Sequence, residues 1–146
     1  MKTSLRFVTT SLVTSYFALT AHAGDLTTYS GEQLFQRFCS GCHGAKAHGD
    51  GKIAASLGVA VPDLTLLAKR NHGEFPLERV TQIIDGRITV TKHNKDRTMP
   101  VWGEELLRTE QGNIEAEHAT ANLIHKIVDY LSTIQIAAEA KSATGP

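Results

Sequence analysis

The residues of this chain that are best suited to chemistry lie in one short segment, Cys39-Ser40-Gly41-Cys42-His43. C-x-x-C-H is the spacing at which a c-type haem is attached, because two thiols can form thioethers with the haem vinyl groups while the adjacent imidazole lies under the iron. The chain has no other cysteine, so the motif leaves no pair for a disulfide. Since C-x-x-C also occurs in thioredoxin-like redox sites and in zinc sites, these two alternatives stay open at this point.

A methionine far downstream of this motif can complete an iron site. Met99 is the only methionine after the initiating residue, and it precedes Pro100. A thioether is a natural sixth ligand for low-spin haem iron, and the proline favours an extended backbone that holds Met99 in one direction. The alternative is that Met99 fills a gap in the core. We predict that His43 is the proximal and Met99 the distal iron ligand, and that Cys39 and Cys42 hold one covalent haem c.

The N-terminus has the pattern of an export signal. Lys2 and Arg6 precede a mostly apolar run over residues 7–19, and Ala21-His22-Ala23 comes next as a cleavage site. An uncleaved membrane anchor is the alternative, although the run is shorter than the ~20 apolar residues of a spanning helix. Export to the periplasm agrees with the motif, because c-type haem is attached on the outer side of the bacterial inner membrane.

This pattern predicts how the chain is organised. We expect residues 1–23 to be a signal peptide, residues 24–136 to form one haem-binding domain and residues 137–146 to be a disordered tail. The chain has 146 residues, and the part after the signal peptide is long enough for one domain and too short for two ordinary ones.

Charge and hydropathy argue against nucleic-acid binding and against a membrane-spanning segment in the mature chain. Fifteen basic residues balance fifteen acidic ones, and removing the signal leaves thirteen basic residues. A balance so near zero gives no support to nucleic-acid binding, which needs a basic stripe or patch. Because no later segment is long and apolar enough to span a membrane, we expect no membrane-spanning segment after signal cleavage.

Hydrophobic periodicity predicts an all-α domain. Ser30 and Gln33 form a capping box at the start of the first helix, and Gly86 ends a helix that Pro76 begins. The apolar stripe is clearest near the C-terminus. Residues 87–100 are predicted to be a long loop. The predicted helices are Ser30–Cys42, a short one between Asp63 and Asn71, Leu77–Asp85, a turn at Glu104–Arg108 and His118–Gln135.

Together these motifs resemble the small single-haem class I cytochromes c of proteobacteria, and the likeness runs from Gly31 to about Ile134. The matching segments are Gly31-Glu32-Gln33-Leu34-Phe35, the C-x-x-C-H motif, Gly49-Asp50-Gly51, Pro62-Asp63-Leu64-Thr65, Met99-Pro100 and Tyr130-Leu131. The resemblance implies a small all-α cytochrome c fold in which three to four short helices pack around one covalently bound haem.

The resemblance also implies particular contacts. The first and last helices are expected to cross, so that Gly31 and Phe35 meet Ile127, Tyr130 and Leu131. The Pro62 carbonyl is expected to accept a hydrogen bond from the outer ring nitrogen of the proximal histidine, with an ordinary loop proline as the alternative.

The expected function is one-electron transfer between a donor and an acceptor protein in the periplasm, without enzymatic activity. An iron with both axial positions filled has no open site for a substrate. Such a carrier is a monomer or a subunit of a redox complex, and the sequence leaves two alternatives. One is a dedicated cytochrome subunit of a periplasmic dehydrogenase or oxidase complex, and the other is a haem sensor with a labile Met99.

Several further residues have a weaker claim to a role. His93 is the rival of Met99 for the sixth position, whereas His118 and His125 are predicted to face solvent. Arg87 can pair with a haem propionate or lie exposed in the loop, and Trp102 can donate its N–H to a propionate or cover the haem edge. The basic residues that precede Met99 are predicted to form either a docking collar for an acidic partner or an ordinary solvated loop; they are Arg87, Lys92, Lys95 and Arg97.

Overall fold

The computed structural model describes residues 25–58, 60–86, 99–109 and 114–137. Within these ranges the chain forms six α-helices, three 3₁₀ turns and no strand, so the all-α prediction is confirmed. The helices are α1 (Gly31–Phe38), α2 (Ser40–His43), α3 (Leu67–Arg70), α4 (Leu77–Asp85), α5 (Trp102–Thr109) and α6 (Ile114–Thr133). The 3₁₀ turns are Leu26–Thr28, Ala54–Ser56 and Leu64–Leu66.

The first predicted helix is present but divided. Its start is the expected capping box: the Ser30 hydroxyl accepts from the Gln33 amide at 3.2 Å, and the Gln33 side chain accepts from the Ser30 amide at 2.8 Å. The division between α1 and α2 falls at Cys39. Beside it the Ser40 hydroxyl donates to the Gln36 carbonyl at 2.5 Å, and side-chain bonds of this kind compete with the regular helix pattern.

The boundaries of the later helices agree with the prediction closely at α4 and less closely elsewhere. Helix α4 ends at Gly86, whose left-handed conformation (φ +101°) is one that glycine adopts without strain. Helix α5 is longer than the predicted single turn. Helix α6 begins at Ile114 instead of His118. The prediction missed its first turns because the residues buried there, Ala116 and Thr120, are small and give no large apolar stripe.

The packing of α1 against α6 forms the centre of the core. Gly31 lies so close to α6 that an added Cβ would overlap the Lys126 carbonyl and come within 2.9 Å of the Tyr130 Cβ. The Phe35 ring lies 5.5 Å from the Tyr130 ring, centroid to centroid. The expected contact of the first and last helices is therefore observed. Helices α4 and α5 pack on other parts of α6.

Most of the apolar core comes from α1 and α6, with contributions from α4 and α5. Its fully buried members include Leu34, Phe35, Leu106, Leu123, Ile124, Ile127 and Val128. Several predictions fall outside the described residues: the signal peptide, Arg87, Lys92, His93, Lys95, Arg97 and the tail after Ala137. In the described part of the chain, no helix is long and apolar enough to cross a membrane.

Candidate functional site

Helix α2 places the three residues of the C-x-x-C-H motif on one side of a single turn. The Cys39 carbonyl accepts from the Cys42 amide at 3.2 Å and from the His43 amide at 2.9 Å. Residues three and four positions apart lie on the same face of a helix, so both thiols and the imidazole project together. Cys39 is buried, whereas Cys42 and His43 are half-buried. Both thiols are free.

Burial keeps the Cys39 thiol and the His43 imidazole uncharged. Burial raises the pKa of the Cys39 thiol to about 12, with a smaller contribution from the nearby Cys42. Burial also lowers the pKa of the His43 imidazole, and the opposing effect of the Pro62 carbonyl is smaller. The neutral imidazole is the form that binds a metal ion.

The His43 ring is oriented by Pro62. The Nδ1 atom of His43 lies 3.3 Å from the Pro62 carbonyl oxygen. Because a carbonyl can only accept, the hydrogen bond requires the proton on Nδ1, and this leaves the lone pair on Nε2. An imidazole that donates from one nitrogen and offers the other is the arrangement found at metal-binding histidines.

The segment around Pro62 contacts the loop that follows His43 in the chain. The Leu64 amide donates to the Ala47 carbonyl at 2.7 Å. Gly49, at φ +83°, lies so close to the Val61 carbonyl that a side chain at this position would overlap it. The segment around Pro62 is therefore in direct backbone contact with the residues that come after His43.

Gln135, two residues after the end of α6, joins that end of the helix to the segment that follows Pro62, and sequence reasoning missed this contact. The Gln135 side-chain nitrogen donates to the Leu64 carbonyl at 2.8 Å and to the Leu131 carbonyl at 2.7 Å. Its side-chain oxygen accepts from the Ala68 amide at 2.9 Å. A glutamine at the end of an amphipathic helix carries no local signal of such a role, because Leu64 and Ala68 lie about seventy residues away in the chain.

Met99 lies against the same core as the motif. It is half-buried, and it packs with Trp102 and Phe38 on the cluster of buried residues that contains Cys39. The Trp102 and Phe38 rings are 5.4 Å apart, centroid to centroid. The structure thus brings the two cysteines, His43 and Pro62 together. Met99 packs against the same core cluster to which Cys39 belongs.

Several other histidines of the described part of the chain are exposed. His118 and His125 are exposed on α6, as expected. His48 is exposed and its ring Nδ1 lies 3.4 Å from the Asp63 carboxylate.

The donor set fits a c-type haem better than the two alternatives. A thioredoxin-like site belongs to a fold with strands, and the described ranges contain none. A zinc site needs about four converging ligands, and within the described residues no group of three or more His, Cys, Asp or Glu side chains is placed to hold a metal ion. A haem needs two thiols beside an imidazole and an apolar wall, and Phe38 and Trp102, which pack on the core cluster that contains Cys39, could contribute to that wall.

Comparison with known proteins agrees with this chemistry. The sequence model of one protein family, described as "Cytochrome C oxidase, cbb3-type, subunit III", matches residues 27–131. The matched region covers more than two thirds of the chain and includes the motif, Pro62 and Met99. No curated protein and no solved structure matches the chain.

Proposed function

The chain belongs to the family of cbb3-type cytochrome c oxidase subunit III, and from this premise we propose that it carries single electrons between extracytoplasmic redox proteins. The cytochrome c domain of this family implies a covalently bound haem c with iron. When bound, haem c supplies a one-electron couple between ferrous and ferric iron. The observation that carries the proposal is the joint placement of Cys39, Cys42 and His43 on one face of α2.

Each residue of the proposed site has a separate task. The Cys39 and Cys42 thiols would add across the haem vinyl groups as thioethers, which would keep the group attached in both oxidation states. His43 would offer Nε2 to the iron while the Pro62 carbonyl accepts from Nδ1 and fixes the ring plane. Met99 would offer its thioether as the other protein ligand, and a thioether ligand raises the reduction potential relative to a second imidazole.

We favour electron transfer over catalysis at the iron because His43 and Met99 would both serve as iron ligands. A haem held by both residues would offer no open position to oxygen, peroxide or a substrate. Ligands that stay in place in both oxidation states also keep the reorganisation small. A labile Met99 is the alternative that turns the site into a ligand-binding sensor.

A dedicated subunit of a larger enzyme is the second candidate function. The family description names a subunit of an oxidase, and this supports a cytochrome that stays bound to one complex as the second candidate. In both cases the chemistry at the iron is the same.

Residues 1–23 serve as the proposed signal peptide, residues 24–136 as the cytochrome domain and residues 137–146 as a tail.

The proposed ligand set can be tested with the purified holoprotein and a Met99→Ala variant. The oxidised protein should show the methionine-to-iron charge-transfer band, and the reduced protein should bind no carbon monoxide at neutral pH. Met99→Ala should abolish the band and allow carbon monoxide to bind. His125→Gln, at an exposed position of α6, is the matched control and should change neither property. Persistence of the band in Met99→Ala would overturn the assignment of the sixth ligand.

The choice between shuttle and subunit needs a separate experiment. Gentle solubilisation of the membranes of a producing bacterium, followed by affinity purification of the cytochrome, should yield the isolated haem protein if it is a free shuttle. Recovery of a large oxidase or dehydrogenase in constant proportion to the haem would establish the subunit instead.

A further inference from the structure

The ion pair between His48 and Asp63 lies beside the hydrogen bond that orients the proximal histidine. The ring Nδ1 of His48 is 3.4 Å from Oδ2 of Asp63. Asp63 is next to Pro62 in the chain, and the Pro62 carbonyl faces His43 at 3.3 Å. His48 lies five residues after His43, in the loop whose backbone bonds to the segment around Pro62. The ion pair therefore joins the two segments that meet at the histidine.

The Asp63 side chain is held in a defined position for this contact. Its Oδ1 accepts from the Thr65 amide at 2.8 Å and from the Thr65 hydroxyl at 2.6 Å. These bonds leave Oδ2 directed at His48. Burial raises the pKa of the Asp63 carboxyl, but the hydrogen bonds from Thr65 and the nearby His48 outweigh it and lower the pKa. Asp63 is therefore ionised throughout the range in which an imidazole titrates.

We propose that His48 and Asp63 are positioning residues for His43, and that the charge of His48 adjusts the reduction potential of the iron. This inference rests on the proposed electron-carrier function and names a device that regulates the same site. With His48 protonated, the pair is neutral and draws its two segments together. With His48 neutral, no positive charge offsets the Asp63 carboxylate. Its negative charge then makes the neighbouring Pro62 carbonyl a stronger hydrogen-bond acceptor for His43.

The sign of the effect depends on the charges. A ferric site carries one more positive charge than a ferrous site, so an uncompensated carboxylate nearby favours the oxidised state. The reduction potential should therefore fall when His48 loses its proton. Other charged groups near the pair are Asp50, which is in the same loop as His48, and Arg70, whose guanidinium donates to the Asp63 carbonyl at 2.9 Å.

The size of the effect is limited by solvent. The His48 and Asp63 side chains are 43% and 24% exposed, and exposed ion pairs are weakened by water and salt. We therefore expect the change of charge at His48 to shift the electron-transfer equilibrium by less than tenfold. For a one-electron couple this is a fall in potential of less than ~59 mV.

The test is a spectroelectrochemical titration of the holoprotein between about pH 5.5 and 8.5, the range in which an imidazole titrates. The potential of the unmodified protein should fall over this range, and His48→Gln and Asp63→Asn should each flatten the curve. His125→Gln, which removes an exposed histidine from α6, should leave the curve unchanged. Curves of equal slope in the unmodified protein and in both variants would overturn the proposal.

A second measurement needs no substitution and therefore does not depend on how the variants fold. The ring protons of His48 are titrated by NMR in the oxidised and in the reduced holoprotein, and the midpoint should be higher in the reduced state. Equal midpoints would overturn the proposal. Failure of the electron-carrier function is seen separately, as loss of the methionine charge-transfer band or as binding of carbon monoxide, so the two outcomes are distinguishable.

Discussion

Replacement of Gln135 tests whether the C-terminal end of α6 supports the proximal side of the haem site. In Gln135→Ala three hydrogen bonds are lost, at 2.7, 2.8 and 2.9 Å. One of them comes from the amide of Ala68, a residue that is only 8% exposed, so this donor loses its partner in a place that water hardly reaches. A buried donor without a partner costs about 1–3 kcal/mol, and each ordinary bond adds about 0.5–1.5 kcal/mol.

From these contributions we expect Gln135→Ala to lower the free energy of unfolding by about 2–6 kcal/mol. The value is measured by guanidinium denaturation of the holoprotein, with absorption in the haem Soret region as the signal. Gln135→Glu separates the two functions of the amide, because a carboxylate still accepts from Ala68 but cannot donate to Leu64 and Leu131. It should therefore lose stability as well, although the Ala68 amide keeps its partner.

Gln82→Ala is the matched control for this experiment. The Gln82 side chain donates to Glu78 at the surface of α4, at 3.0 Å, so both partners of this bond belong to one helix. Its removal should change the free energy of unfolding by less than about 0.5 kcal/mol. Equal losses in Gln82→Ala and Gln135→Ala would refute the reasoning, because they would show that the contacts of Gln135 with Leu64 and Ala68 add nothing beyond those of a surface glutamine.

Three further outcomes are expected. Gly31→Ala should destabilise the protein by about 1–3 kcal/mol in denaturant titrations, because its Cβ would overlap the Lys126 carbonyl and force α1 away from α6. Ser30→Ala should cost about 1 kcal/mol in the same assay, since it removes the cap of α1. Because the pKa of Asp63 is lowered in the folded protein, its contribution to stability is present above the unfolded pKa of about 3.9 and is lost as the pH falls through the folded value. Asp63→Asn should therefore make acid unfolding between about pH 5 and 2 less steep, and an unchanged acid transition would contradict this.

The sequence predicted those features that depend on neighbouring residues. The capping box of Ser30 and Gln33 and the termination of α4 at Gly86 are both local patterns. Each is encoded within a few residues, so the pattern and the structure agree.

Other features were not predictable from such local patterns. The first helix is divided at Cys39, beside the hydrogen bond from Ser40 to the Gln36 carbonyl, whereas periodicity shows only a continuous apolar face. The early start of α6 is marked by small buried residues, which give a weak hydrophobic signal. The role of Gln135 depends on hydrogen bonds to a segment about seventy residues earlier, and a single sequence carries no record of that proximity.

Near-infrared magnetic circular dichroism of the oxidised holoprotein tests the central claim most directly, because the energy of its charge-transfer band reports both axial ligands at once. The proposed site predicts a low-spin haem with one imidazole and one thioether, which belong to His43 and Met99. A signature of two imidazoles, or of a high-spin iron with an open position, would contradict it.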